Sequence, residues 1–86
     1  MSLNKFIHIL ELEFGDSQTI IIDPDRNLRE IILWNSMNAL LLITIIKVEY
    51  NLDLTIENFQ SFYTARELYE KFIRFADEEN ATNHTS

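Results

Sequence analysis

The stretch WNSMNALLLITIIKVEY, residues 34–50, contains the longest apolar run of the chain and decides how the other segments can pack. Its apolar side chains recur at i, i+3, i+4, i+7 and i+11, the spacing of one broad helix face. They are Ala39, Leu42, Ile43, Ile46 and Tyr50. Asn35 and Ser36 precede this face, and both side chains can accept hydrogen bonds from the free amides of a helix start. The sequence therefore predicts a buried helix from residue 35 or 36 to about Tyr50.

A second apolar stripe follows the same helix at i, i+4, i+8 and i+11. It consists of Met37, Leu41, Ile45 and Val48. Because the first face turns inward, we expect this second stripe to be largely exposed. Two interpretations stay open. The loop around residues 20–22 or 33–34 folds over part of the stripe, or the stripe is a hydrophobic docking surface for a dedicated partner or for self-association.

An amphipathic helix is predicted for residues 3–14. Its apolar face consists of Leu3, Ile7, Leu10 and Phe14. Ser2 can cap the start of this helix, and Gly15, the only glycine, stands where a left-handed residue ends many helices. His8 lies off the apolar face, so we expect it at the surface.

The connection that follows is predicted to be a long packed loop. Residues 19–22 are rich in β-branched side chains and alone would suggest a strand, but the turn at 23–25 ends it and no second strand is available for pairing. Four apolar residues are expected to fix the loop to the core, through a helical turn. These are Leu28, Ile31, Ile32 and Leu33. We expect Trp34 to pack over the end of the bundle, although its place next to Ser36 leaves contact with a partner open.

The last third of the chain carries the clearest helix-start signal. Residues 64–67 form a capping box, with Tyr63 and Leu68 at the positions of a hydrophobic staple. The expected buried face of this helix consists of Ala65, Leu68, Phe72 and either Phe75 or Ala76. Before it, Thr55 is expected to cap a short helix over residues 56–60.

Together these elements predict an all-α fold, a small four-helix bundle with three longer helices, one short helix and a long first loop. We assign residues 1–76 to this domain. Residues 77–86 have almost no apolar side chains, so they are predicted to form a disordered acidic and polar tail.

Composition limits the classes of function. The chain has 86 residues, 47% of them hydrophobic, which suits one small domain with a core. There is no cysteine, which excludes disulfides and a thiolate zinc site, and the two histidines are far apart in the sequence. A net charge of −7 argues against nucleic acid and anionic membranes as partners. Since no apolar run approaches the ~20 residues of a membrane span, we expect a cytoplasmic protein without membrane insertion.

Ser36 is the residue that could carry chemistry. One interpretation is that Asn35 or Ser36 only caps the helix. The other is that Ser36 bears a phosphorylated group, because the free amides and dipole of a helix start stabilise a phosphodiester.

Around this serine and along the helices on both sides of it, the sequence resembles the acyl carrier proteins. That family's motif is Asp-Ser-Leu or Asp-Ser-Met at the start of the second helix, and here it stands as Asn35-Ser36-Met37. The resemblance covers residues 3–76 and continues through Leu42, Ile46, Glu49, Tyr50, Glu57 and residues 64–72.

The resemblance implies a bundle of acyl-carrier type in which Ser36 carries 4′-phosphopantetheine, transferred from coenzyme A by a phosphopantetheinyl transferase. The thiol of that arm would hold acyl or aminoacyl groups as thioesters, so the reactive sulfur would belong to the cofactor. Such a protein is not an enzyme. It would present intermediates to acyl-loading and acyl-transfer enzymes, here in a specialised fatty-acid, polyketide or other lipid pathway.

Two departures from the family pattern matter. Asn35 replaces the family's aspartate, which keeps the capping ability but removes a charge used in contacts with the modifying enzyme. The second helix is apolar where that of well-known carriers is acidic. The alternative hypothesis is therefore an interaction protein that keeps the carrier fold but is no longer phosphopantetheinylated.

Overall fold

Helix α3, Ser36–Tyr50, has the predicted bounds and crosses the core of the molecule. Asn35 caps its start, since the Asn35 Oδ1 accepts a hydrogen bond from the backbone N–H of Asn38 at 2.8 Å. Asn51 ends it in the left-handed conformation, with φ 55°, a backbone region that asparagine tolerates better than most residues. The prediction of one long buried helix is confirmed.

The computed structural model describes residues 3–15 and 19–83, with side chains described up to residue 78. Its helices are α1 (Leu3–Gly15), α2 (Leu28–Ile31), α3 (Ser36–Tyr50), a 3₁₀ helix (Ile56–Ser61), α4 (Ala65–Leu68), a π-helical stretch (Tyr69–Ile73) and α5 (Arg74–Asn83). The last three form one continuous helical segment. No strand occurs within the described residues, so the coarse all-α prediction is confirmed.

One apolar core joins these elements. Its fully buried large side chains are Phe6, Leu10, Leu28, Leu42, Ile46, Phe62, Leu68 and Ile73. They come from α1, α2, α3, the connection before α4 (Phe62) and the C-terminal helical segment, which explains why short helices such as α2 are stable here. Burial of apolar area in the tertiary structure, rather than intrinsic helix propensity, holds such short helices together.

The buried face of α1 differs from the prediction. Phe6 and Leu10 are the residues of α1 with fully buried side chains, while Leu3, Ile7 and Phe14 are only half-buried. The helix is rotated because the Phe6 ring packs edge-on against Tyr50 (centroids 5.9 Å apart) and also against Tyr69 (6.1 Å). His8 is exposed, as predicted.

Gly15 does not end α1 in the left-handed conformation that was predicted. It is the last helical residue and its φ is not positive. The residue is buried, and a Cβ added to it would lie 3.8 Å from Ile20, an ordinary contact distance. The predicted cap Ser2 lies outside the described residues.

The first loop contains no strand in its described part, as predicted, and is fixed to the core. Ile22 is buried and its N–H donates to the Glu11 Oε2 at 2.9 Å. Leu28, the first residue of the short helix α2, and Ile32, which follows that helix, are buried as well. Leu33 was also expected in the core, but its side chain is 75% exposed.

The capping box at residues 64–67 is confirmed, with hydrogen bonds in both directions between Thr64 and Glu67. The staple is not formed as predicted, since Tyr63 is exposed while Leu68 is buried. For the buried face of the last helix, the prediction left Phe75 or Ala76 open. Ala76 is half-buried and Phe75 is exposed, so the structure favours Ala76.

The structure also differs from the predicted tail. Helix α5 continues to Asn83, beyond the predicted boundary at residue 76. Asp77 is only 4% exposed, and the Tyr69 hydroxyl donates to its Oδ2 at 3.5 Å. A buried carboxylate is tolerated where it has a hydrogen-bond donor, which composition alone does not reveal. Residues 84–86 lie outside the described part of the chain.

Candidate functional site

Ser36 is the first residue of α3 and its side chain is exposed. The cap of α3 is made by Asn35, so the Ser36 hydroxyl is not used for capping. The Asn38 side-chain amide donates to the Leu33 carbonyl at 2.8 Å, which fixes the chain just before the helix. Of the two capping residues that the sequence left open, the structure assigns the cap to Asn35.

Ser36 lies at a cleft of about 360 Å³ between α2, the start of α3 and the 3₁₀ helix. The residues that line it are Arg29, Trp34, Asn35, Ser36, Ala39, Ile56, Phe59 and Gln60. The walls are mainly apolar and aromatic, while Arg29 contributes a positive charge. The first turn of α3 contains no acidic residue, so nothing within that turn opposes an anionic group at Ser36.

Arg29 is a functional candidate that the sequence did not indicate. Its guanidinium donates to the carbonyl oxygens of Phe59 (2.6 Å) and Phe62 (3.1 Å). It also lies 4.5 Å from the centroid of the Trp34 ring, within the range of a cation–π contact. These partners are 30 and 33 residues away along the chain, so no local sequence pattern could have revealed them.

Trp34 packs as predicted over this end of the bundle. Its ring is half-buried and meets the Phe59 ring edge-on, with centroids 5.4 Å apart. The indole thus contacts both Phe59 and the Arg29 guanidinium, and all three side chains line the cleft beside Ser36.

The predicted docking stripe does not form one exposed face. Ile45 is 5% exposed and belongs to the core, and Leu41 is half-buried, whereas Met37 and Val48 are exposed. Ile20 of the first loop lines a second cleft, of about 330 Å³, together with Leu41. The middle of the stripe is therefore not an exposed surface, because Ile45 is buried and Leu41 is half-buried.

A smaller exposed apolar group remains close to Ser36. Leu33 precedes the helix, and Met37 and Leu40 lie three positions apart on its surface, a spacing that makes them neighbours. Val48 is far from this group, near the C-terminal end of α3. The exposed apolar residues within four positions of Ser36 are therefore Leu33, Met37 and Leu40, rather than the full predicted stripe.

The groups with shifted pKa values do not line the Ser36 cleft. Hydrogen bonding to Arg66 lowers the pKa of Asp25, and the backbone amides of Tyr63 and Thr64 lower the pKa of Glu67. Burial raises the pKa of the Tyr50 hydroxyl well above its usual range. The perturbed groups thus belong to packing and capping and not to the surroundings of Ser36.

Within the described residues, no group of three or more His, Cys, Asp or Glu side chains could hold a metal ion. In the same part of the chain, no helix combines the length and the apolar character needed to cross a bilayer.

Comparison of the chain with families of known proteins, with curated proteins and with solved structures gives no match in any of the three. The site is therefore interpreted from its own geometry. That geometry combines an exposed serine at a helix start, an adjacent aromatic cleft and a half-buried arginine.

Proposed function

We propose that the chain is a carrier protein of the acyl-carrier type, with Ser36 as the attachment point of 4′-phosphopantetheine. The observation that carries the proposal is the position of Ser36, exposed at the first residue of α3 and free of the capping role that Asn35 fills. The all-α architecture with a short 3₁₀ helix and a long first loop supports it.

The proposed attachment is a single group transfer. The Ser36 Oγ attacks the phosphorus of coenzyme A that bears pantetheine, and an O–P bond forms as the pyrophosphate bond breaks. Adenosine 3′,5′-bisphosphate leaves, and the hydroxyl proton passes to a base of the transferase or to water. The arm's thiol then forms thioesters, so this chain would need no cysteine and no catalytic group of its own.

The surroundings of Ser36 favour the product of that transfer. A phosphodiester at the start of α3 would lie near backbone amides that α3 itself cannot satisfy, at the positive end of the helix dipole. The apolar walls formed by Trp34, Ile56 and Phe59 offer a surface for the arm or its cargo. A tethered thioester would meet partner active sites at a raised effective concentration.

The partners of such a carrier would be a phosphopantetheinyl transferase and the enzymes that load and remove acyl groups. Leu33, Met37 and Leu40 are exposed beside the attachment point, where every such enzyme must dock to reach the arm. An apolar docking surface suits a dedicated set of partners in a specialised fatty-acid, polyketide or lipid pathway of the cytoplasm.

The second candidate is an interaction protein that has the bundle but not the prosthetic group. Asn35 in place of the family's aspartate favours it, as does the same exposed apolar group, which needs no modification to bind a partner or a second copy. Met37→Ser combined with Leu40→Ser tests the surface in the unmodified protein. Loss of self-association in analytical ultracentrifugation, with helicity retained, would support this candidate.

The deciding experiment is intact-protein mass after incubation with coenzyme A and a broad-specificity phosphopantetheinyl transferase. Wild type should gain one phosphopantetheine, and Ser36→Ala should gain none. Ser61→Ala is the matched control, because Ser61 is also exposed but ends the 3₁₀ helix, and it should be modified like wild type. No gain in wild type, repeated with a transferase from the source organism, would reject the carrier proposal in favour of the interaction protein.

A further inference from the structure

The four arginines of the chain differ in what surrounds their guanidinium groups. Three form ion pairs with carboxylates: Arg26 with Glu30 (3.4 Å), Arg66 with Asp25 (2.6 Å) and Arg74 with Glu70 (2.9 Å). Arg29 forms none with any residue that the structure describes, and its contacts are with carbonyl oxygens and aromatic rings.

Arg29 is nevertheless held in a fixed orientation. Two of its N–H groups donate to the carbonyls of Phe59 and Phe62, and the guanidinium carbon lies 4.5 Å from the centroid of the Trp34 ring. A guanidinium has five N–H donors, so about three remain available for another acceptor. The side chain is half-buried, which weakens the screening of its charge by salt.

The available donors belong to a side chain that lines the same cleft as Ser36. A planar, half-buried cation without a carboxylate partner is suited to a phosphate oxygen, because the guanidinium fork can bind two oxygens of one phosphate. A carrier's phosphodiester has one negative charge and lies one bond beyond the serine oxygen.

We propose that Arg29 is a positioning residue for the prosthetic group: it binds the phosphodiester on Ser36 and directs the first part of the arm along the Trp34 wall of the cleft. The inference rests on the proposed modification of Ser36. It adds a residue from a different helix, α2, to a site that the sequence placed entirely on α3.

The positioning role of Arg29 is tested by a thermodynamic cycle in which phosphopantetheinylation of Ser36 is combined with substitutions of arginine. Wild type, Arg29→Gln, Arg29→Lys and Arg26→Gln are each prepared with and without phosphopantetheine, and the thermal midpoint of unfolding is measured. Contacts of Arg29 with Phe59, Phe62 and Trp34 are present in both forms, so their loss cancels in the difference between the two forms. Arg26→Gln is the matched control, since it removes the same charge from the turn just before α2, at a residue that does not line the cleft.

We expect the modification to raise the midpoint of wild type and of Arg26→Gln by similar amounts. In Arg29→Gln the gain should be smaller by about 6 °C or more, the response of a domain of this size to the loss of one charge-assisted hydrogen bond. Arg29→Lys keeps the charge but not the paired N–H donors of the guanidinium. Its gain in thermal midpoint should lie between the gains of Arg29→Gln and wild type. Equal gains in Arg29→Gln and Arg26→Gln would overturn the proposal.

A measurement on wild type covers the case in which Arg29→Gln fails to fold. In ¹⁵N-labelled protein, the Nε–H signal of Arg29 should shift and exchange more slowly with water after modification, while that of Arg26 stays unchanged. An unchanged Arg29 signal in the modified protein would overturn the proposal. Failure of the carrier function is recognised separately, because wild type would then show no gain in mass.

Discussion

The starts of helices α3 and α4 differ in how their free amides are satisfied. At α4, the Thr64 Oγ1 accepts from the Glu67 N–H at 3.0 Å, and the Glu67 carboxylate accepts from the N–H groups of Tyr63 and Thr64 at 2.9 and 3.0 Å. At α3, a single side-chain bond from Asn35 caps the helix. The start of α4 is therefore closed by its own residues, whereas that of α3 is only partly satisfied.

The charged residues around the two helix starts also favour an anionic group at α3 over one at α4. Glu67 lies in the first turn of α4, and Asp25 is bound to Arg66 of the same turn. The first turn of α3 has no acidic residue, and the cleft beside it contains Arg29. An anionic group would be repelled at α4 and stabilised at α3, so helix starts of similar sequence type can differ in function through the charges around them.

Side-chain burial gives the largest expected difference between the two starts. Leu68→Ala, at the end of the first turn of the helical segment that begins with α4, should lower the free energy of unfolding by about 2–5 kcal/mol, because Leu68 is fully buried and its loss leaves a cavity. Met37→Ala, at the start of α3, should change it by no more than about 0.5 kcal/mol, since Met37 is 75% exposed. Urea denaturation measures both. Similar losses for the two variants would show that the start of α3 is as tightly packed as that of α4.

Removal of the caps gives a smaller difference. Thr64→Ala should lower the free energy of unfolding by about 1–2 kcal/mol, the upper part of the range for caps, because its reciprocal bond with Glu67 is lost. Asn35→Ala should lower it by about 0.5–1 kcal/mol, since one bond is lost at a helix start that solvent can reach. A greater loss for Asn35→Ala in the same urea titrations would contradict the comparison.

Asn35→Asp should make the α3 start more like that of α4. The carboxylate keeps the cap and adds a charge near the positive end of the dipole, so the unmodified protein should gain about 0.3–1 kcal/mol of stability at neutral pH. The substitution also restores the residue of the family motif that the sequence resembles, and we expect a faster initial rate of phosphopantetheinylation. Asn35→Ser, which keeps a capping oxygen without adding a charge, is the control for a substitution at this position. Equal rates for Asn35→Asp and wild type would contradict a role of that charge in recognition by the transferase.

The smallest expected effect is the loss of stability in acid that comes from Glu67 in the capping box of α4. The backbone amides of Tyr63 and Thr64 lower the pKa of Glu67 below the ordinary value of 4.5, so its contribution to stability is present above that pH and is lost as pH falls through the lower, folded-state pKa. Glu67→Gln should reduce this acid-induced loss, whereas Glu57→Gln, at an exposed position of the 3₁₀ helix, should not. Urea titrations from about pH 7 to about pH 3 measure the slope. If the free energy of unfolding changed with pH to the same extent in Glu67→Gln and wild type, the contribution assigned to Glu67 would be contradicted.

Local patterns allowed both helix starts to be predicted. The Thr64–Glu67 capping box and the Asn35 cap depend on residues three positions apart, and such contacts form wherever the chain is helical. The long apolar helix α3 follows from a periodicity that only a helix can place on one face. Ser36 could be proposed as the site for the same reason, because its place at the helix start is a local property.

Tertiary structure decided what surrounds those helices. Ile45 was expected outside and is buried, and Leu33 was expected inside and is exposed, because α3 is apolar on nearly every face and periodicity cannot show which faces other elements cover. Arg29 reaches the candidate site through contacts with Phe59 and Phe62, which are 30 and 33 residues distant. The sequence by itself determined the long helix α3, the start of α4 and the serine at the start of α3, whereas the cleft and its arginine depend on packing between segments that are distant in the chain.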